Sequence, residues 1–181
     1  MSELAFITDG TAAVVGLALG LAAMAGTHCG GDGCLARSDD RAPRLAVSAG
    51  SVVFRGETTG SELYLRFDAG RRYGPFRPVY GVSLSDAGEA WLGAGLAYAL
   101  QPRDWPVYAE FHLMPGLYAA GSGADLGGPV AFRSGVELGY ETGRGLRIGL
   151  GVDHRSNAGL YSQNPGLETV HLRVSRPLSR R

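Results

Sequence analysis

Eight short runs of alternating apolar and polar residues constrain this chain more than any other feature. They cover residues 45–54, 62–67, 78–84, 90–100, 107–120, 130–142, 146–155 and 168–176. Between them lie clusters of Gly, Pro, Asp and Asn, such as "DAGRRYGPF", "SDAGE" and "QPRDWP", which are turn chemistry. No helical period is sustained after Ala42. An even number of strands with short links points to an all-β fold, an eight-stranded antiparallel up-and-down barrel.

The alternation also gives a direction. In the seventh run Leu146, Ile148, Leu150 and Val152 share one face, and Arg147, Gly149, Gly151, Asp153 and Arg155 the other. In the sixth, Val130, Phe132, Val136, Leu138 and Tyr140 oppose Arg133, Glu137 and Glu141. In the fourth, Leu92, Leu96, Tyr98 and Leu100 oppose Trp91 and several small residues. A closed barrel has two surfaces, and only one of them is apolar here. Apolar-inward describes a soluble lipocalin-like binding cup; apolar-outward describes a transmembrane barrel. The polar face mixes Glu110, Arg133, Glu137, Glu141, Arg147 and Asp153 with small residues. Mutual neutralisation and low bulk suit a narrow lumen, so the apolar face is expected outside, against lipid. His112, in step with Glu110, is then expected to be a lumen hydrogen-bond partner. Trp91, Trp105 and Tyr108 are candidates for interfacial aromatic anchors.

Composition excludes other classes. Seventeen Arg and seventeen acidic residues leave no net charge, which argues against nucleic acid as a partner. The 29 glycines show no Gly-X-Y period and sit among apolar residues, so the chain is neither collagen-like nor of disordered composition.

The uncharged stretch 10–27 suits the apolar core of a secretory signal, with Ala23-Met24-Ala25 as a small-x-small cleavage site. The acidic "MSELAFITDG" before it lacks the basic character of such signals, so a retained helix or strand also fits. The expected organisation is a signal- or anchor-like segment with a Cys-containing loop over 1–40, then a barrel domain over 41–181. Cys29 and Cys34 flank "GGDG" and are candidates for a disulfide in an exported protein. Two thiols with no neighbouring His pair make only half a zinc site, and no metal or organic cofactor is implied.

One polar cluster interrupts the apolar surface. Continuing the seventh strand by steps of two puts His154 and Ser156 on its apolar face, about 6–7 Å apart. In the eighth strand Glu168 shares a face with Val170, Leu172 and Val174. Polar groups on a lipid-facing surface are costly unless they satisfy one another or serve a function. Ser, His and a carboxylate are the set needed for acyl transfer.

The stretch "HRSNAGLYSQNPGLE" resembles the His-x-Ser-Asn-Ala-Gly segment and downstream Asn-x-Gly-x-Glu of the lipid A 3-O-deacylases, outer-membrane enzymes that trim lipopolysaccharide. The motif similarity covers roughly the last fifty residues; elsewhere it rests on strand count and pieces such as "FDAG" and "FRSG". The resemblance implies an eight-stranded outer-membrane barrel with lipid-facing catalytic groups. It assigns Ser156 as nucleophile, His154 as base and Glu168 as orienting acid. Asn157 and the Gly159 backbone N–H would form the oxyanion hole, with Asn164 in support. The implied partners are lipid A as substrate and membrane lipid around the barrel. The acyl-chain preference is not encoded in the motif. The rival reading is a non-catalytic barrel that binds lipid or braces the membrane.

Overall fold

The computed structural model describes residues 9–29, 33–39, 42–102 and 104–178. Eight strands form the body: β1 Arg44–Phe54, β2 Glu57–Asp68, β3 Phe76–Ser85, β4 Ala90–Leu100, β5 Val107–Ala119, β6 Val130–Glu141, β7 Arg147–Ser156 and β8 Leu167–Pro177. Each pairs antiparallel with its sequence neighbour, and β8 pairs with β1, so the sheet closes. A two-residue ribbon, Arg37–Ser38 against Arg72–Tyr73, sits at the rim that carries the chain ends of the barrel.

The strands run 10–13 residues, longer than the alternation alone indicates for several of them. The largest difference is β2, which starts at Glu57 rather than 62. Its first residues, "ETTGS", carry no apolar stripe and read as loop chemistry, yet they complete the hairpin with β1 through the Arg55–Gly56 turn.

The direction of the side chains follows the alternation. Leu63, Leu84, Leu92, Leu117, Leu138, Leu150 and Leu172 are all more than half exposed, and together they make an apolar outer wall. Inside, Arg133 reaches Glu62 at 2.8 Å and Asp153 at 2.6 Å, and Arg155 reaches Glu62 at 2.7 Å. Lower in the lumen Arg66 and Arg77 share Glu110, and Arg173 lies 2.8 Å from Glu137. His112 is buried, with Nε2 3.4 Å from Asp153. Ions removed from water persist only with close partners, and the narrow lumen supplies them.

An apolar plug lies under the rim formed by the β1–β2, β3–β4, β5–β6 and β7–β8 connections, packed among the Arg133–Glu62 ion pairs, with Arg133 stacked over the Tyr64 ring. It contains Val52, Tyr64, Trp91, Met114, Tyr118 and Leu167, and Leu126 folds into it from the β5–β6 loop. Two of the expected interfacial anchors are therefore core residues. Trp91 is 1% exposed and its indole N–H donates to Ala131 O; Tyr108 is buried and donates to Glu137. Both lie in step with the polar face, and strand phase overrides residue type. Trp105, in the β4–β5 connection, is 64% exposed.

Ahead of the barrel lies one helix, α1, Thr11–Thr27. Seventeen residues span about 25 Å at the usual rise, and among the described residues no helix is long and apolar enough to cross a membrane. This helix packs against the outside of the barrel, mainly on β5 and also on β4 and β6. Cys29 and Cys34, after its end, are joined by a disulfide. Residues 1–8 of the expected leader and 179–181 of the terminal arginine-rich stretch lie outside the described residues.

Candidate active site

β7 and β8 are joined by the loop 157–166, and their register sets His154 directly opposite Glu168. Both point outward from the barrel and both are half-buried. His154 Nδ1 lies 3.2 Å from Glu168 Oε1. That spacing lets the carboxylate hold one ring nitrogen and leaves Nε2 for a substrate or nucleophile. Gly166 is what admits this pair. A Cβ there would lie 2.6 Å from His154 Cε1 and 3.0 Å from Glu168 Oε1, so a side chain would drive into both.

Ser156 follows His154 on the same face as the last residue of β7, half-buried and opposite Phe132 of β6. It makes no hydrogen bond to the imidazole. The His–Glu half of the expected triad is brought together, and Ser156 stands beside it on the same face. Catalytic hydrogen bonds commonly tighten only once substrate is bound.

The loop behind Ser156 is tightly held. Asn157 is fully buried, and its Nδ2 donates to Leu126 O and to Gln163 O, both at 2.6 Å. Its backbone N–H donates to Asn164 Oδ1 at 2.9 Å. Its Oδ1 accepts the Gly159 N–H at 2.9 Å. The two groups expected to form an oxyanion hole are thus turned toward each other and toward loop carbonyls. Asn157 ties the β7–β8 loop to the β5–β6 loop, whose Leu126 is anchored in the plug. Ala158 adopts φ 54° and Gly159 φ 78°, a left-handed pair that turns the chain directly after the site.

Ser134 belongs to the same surface but stands out less in sequence. It lies on the outward face of β6, in register with His154. It breaks the Val130–Phe132–Val136 stripe with one polar residue, and that interruption is the signal that identifies it.

An open groove of about 610 Å³ adjoins Glu168, lined by Val53, Arg55, Pro165, Gly166 and Val170. The larger groove on the outer wall of β1–β3, about 900 Å³, lies away from His154 and is shaped by Ala49, Ser51, Leu63 and Leu84. The groove beside the polar cluster is the one with chemistry at its edge. Among the described residues no cluster of His, Cys, Asp and Glu could hold a metal ion.

A sequence model of the lipid A 3-O-deacylase (PagL) family matches residues 54–177. None of the curated proteins matches the chain. Among solved structures, the barrel is similar to the outer membrane enzyme PagL, at 20% identity and a TM-score of 0.60, covering 75% of this chain and 99% of that one. It is also similar to a de novo designed transmembrane β-barrel, at 8% identity and a TM-score of 0.56, covering 79% and 100%. Neisserial surface protein A matches at 12% identity and a TM-score of 0.55, covering 79% and 99%. Identities this low speak for the fold alone.

Proposed function

The chain belongs to the lipid A 3-O-deacylase (PagL) family, and from that membership we propose that it hydrolyses the ester of a 3-hydroxyacyl chain on lipid A with Ser156, His154 and Glu168. It is a bacterial outer-membrane barrel with an apolar exterior. The observation that carries the catalytic reading is the His154–Glu168 contact of 3.2 Å on a wall built mainly of exposed Leu, Ile, Val, Phe and Tyr. A titratable pair on a lipid-facing surface has no structural reason to be there, since apolar residues would serve the wall better.

The rim bearing the 10-residue loops 120–129 and 157–166 is assigned to the cell exterior, because outer-membrane barrels carry their longer loops outside. His154 and Ser156 lie near that rim, at the level of the outer leaflet. The substrate ester then never leaves the membrane plane.

In the proposed reaction Ser156 Oγ attacks the ester carbonyl carbon while His154 Nε2 takes its proton. Glu168 holds Nδ1–H and stabilises the imidazolium. The tetrahedral intermediate collapses, the sugar oxygen leaves, and His154 returns the proton to it. Water, activated by the same ring, then hydrolyses the acyl-serine and releases the fatty acid. For the oxyanion, the Gly159 N–H exchanges its present acceptor, Asn157 Oδ1, for the substrate oxygen. Asn157 acts by positioning this loop. No cofactor enters the scheme.

The test is mass spectrometry of lipid A from cells that express the protein and cells that lack it. Loss of one 3-hydroxyacyl chain, with its release as free acid, is the expected result. Unchanged lipid A alongside a properly inserted barrel would favour the non-catalytic reading, a barrel that binds lipid or braces the membrane.

A further inference from the structure

The two rims of the barrel carry opposite charge. Among the described residues, the rim with the loops 120–129 and 157–166 exposes Glu57, Asp86 and Asp125 against Arg55. The opposite rim exposes Arg37, Arg71, Arg144 and Arg176 against Asp39 and Asp104. Inside that basic rim lies a cavity of about 270 Å³, lined by Arg44, Arg77, Arg147, Glu141, Gly145 and Pro177.

The three arginines are only 7%, 5% and 4% exposed. They come from β1, β3 and β7, and Arg44 is within electrostatic reach of both others. Arg66 stands beside them and shares Glu110 with Arg77. Among the described residues these four cations divide three carboxylates, Asp68, Glu110 and Glu141. The next cation inward, Arg173, is matched by its own partner, Glu137. One positive charge at the mouth is thus left without a counter-charge, and charges removed from water need one.

Donors are left over as well. Arg77 gives Nη2 to Glu110 at 2.7 Å, but its buried Nε–H has no acceptor among the described residues. Arg44 Nη1 stands 3.8 Å from Glu141, beyond a hydrogen bond. Buried donors are normally paired. Gly145 keeps the mouth clear, since a Cβ there would lie 3.4 Å from the Pro177 ring and 3.9 Å from Glu141 Oε1.

We propose that this mouth is a binding site for a phosphoryl group, held by Arg44, Arg77 and Arg147. Planar guanidinium forks match phosphoryl oxygens and shed water more readily than ammonium groups do. The cavity is just smaller than the roughly 300–1,000 Å³ of drug-sized ligand pockets, so it takes a head group and not an acyl chain. With the long loops assigned to the exterior, the mouth faces the inner leaflet. Exposed arginines on the same rim draw anionic groups toward it. The phosphoryl group comes from a phospholipid head group of that leaflet or from free phosphate. The site lies at the rim opposite His154 and does not depend on the deacylase reading.

The test uses the full chain in uncharged detergent, with heat-modifiable gel mobility to show that each barrel is folded. Two probes are titrated separately by calorimetry at constant ionic strength. One is inorganic phosphate and the other is phosphatidylglycerol in mixed micelles. Arg44→Gln is expected to weaken binding at least about tenfold, as loss of a charge-assisted hydrogen bond does. Glu141→Gln removes the carboxylate that faces the cavity and should tighten binding about threefold. Arg55→Gln, on the other rim, should leave it unchanged.

Tighter binding of phosphatidylglycerol than of phosphate supports the site and identifies the head group as its occupant. The reverse order supports it and identifies the free ion. Where Arg44→Gln does not fold, Glu141→Gln alone decides. Saturable binding of neither probe overturns the proposal. So does binding that Arg55→Gln lowers as much as Arg44→Gln, or binding indifferent to either mouth variant in its folded form.

Discussion

Two sets of charged and polar side chains lie back to back across the same strands. On β7, Asp153 and Arg155 point into the lumen, whereas His154 and Ser156 point out. The inward set is almost fully buried and joined by short ion pairs, with Glu62 held by Arg133 and Arg155 at 2.8 and 2.7 Å. The outward set is half-buried, with one contact of 3.2 Å and a serine without a hydrogen-bond partner. Neutralised groups that touch only one another hold the barrel together. Groups left partly open on an apolar wall are available to a substrate. On the proposed reading, polar residues at alternate positions of one strand serve stability on one face and chemistry on the other.

The largest expected effect breaks this comparison at its outer face. Ser156→Ala should lower the deacylation rate at least about 10³-fold, and His154→Ala about as much, because members of a catalytic unit fail together. Both proteins should keep heat-modifiable mobility, since neither side chain contributes to the lumen network. Turnover close to that of the parent in a folded Ser156→Ala protein would end the hydrolase assignment.

The next effect breaks the inner face. Arg133 is fully buried, bonds Glu62 and Asp153, and stacks 3.9 Å over the Tyr64 ring. Arg133→Ala leaves Glu62 with Arg155 alone and takes from Asp153 its one close cation, and should cost about 3–5 kcal/mol of barrel stability, measured by urea unfolding in vesicles. The rate per folded molecule should stay within about twofold, because Arg133 lies across the wall from the site and its neighbour Ser134 keeps its place in β6.

How much of this was legible in sequence follows from the same alternation. Strand number and short turns predicted the closed barrel, strand phase sorted the residues onto two faces, and the mixed charges and small residues of the polar face put Leu150 and Leu172 outside and His112 in the lumen. It also put His154 and Glu168 on the outer face of adjacent strands. Where residue type was weighed above phase, the reading failed: Trp91 and Tyr108 look like membrane anchors, but their phase is inward and they are buried. The start of β2 was hidden because "ETTGS" at a rim has no apolar stripe to reveal it. The commitments of Asn157 were also out of reach. Its amide bonds Leu126 O, thirty-one residues away in sequence, and no local pattern encodes where a distant loop carbonyl will fall. The path of α1 depends on the barrel's outer shape, with Gly16 and Gly20 fitting Phe111, Phe76 and Tyr98, so it is equally invisible in one dimension.

The smallest expected effect sharpens the comparison, because it applies one substitution to one residue type on each face. Glu168 is 21% exposed at its side chain and, among the described residues, pairs with His154 alone, whereas Glu62 is 2% exposed and bridges two arginines. Glu168→Gln keeps the shape and a hydrogen-bonding oxygen but removes the charge that stabilises the imidazolium. It should reduce deacylation roughly 100-fold, less than loss of the nucleophile or the base, since it acts through His154. Barrel stability should change by less than about 1 kcal/mol, as expected for a partly exposed pair. Glu62→Gln should do the opposite. It leaves Arg133 and Arg155 facing each other without their shared anion, costs about 3 kcal/mol of stability, and leaves the rate of the folded protein nearly unchanged. If Glu168→Gln destabilised the barrel as much as Glu62→Gln and left the rate alone, the outer pair would be a structural brace like the inner one. The His154–Glu168 contact would then no longer argue for catalysis.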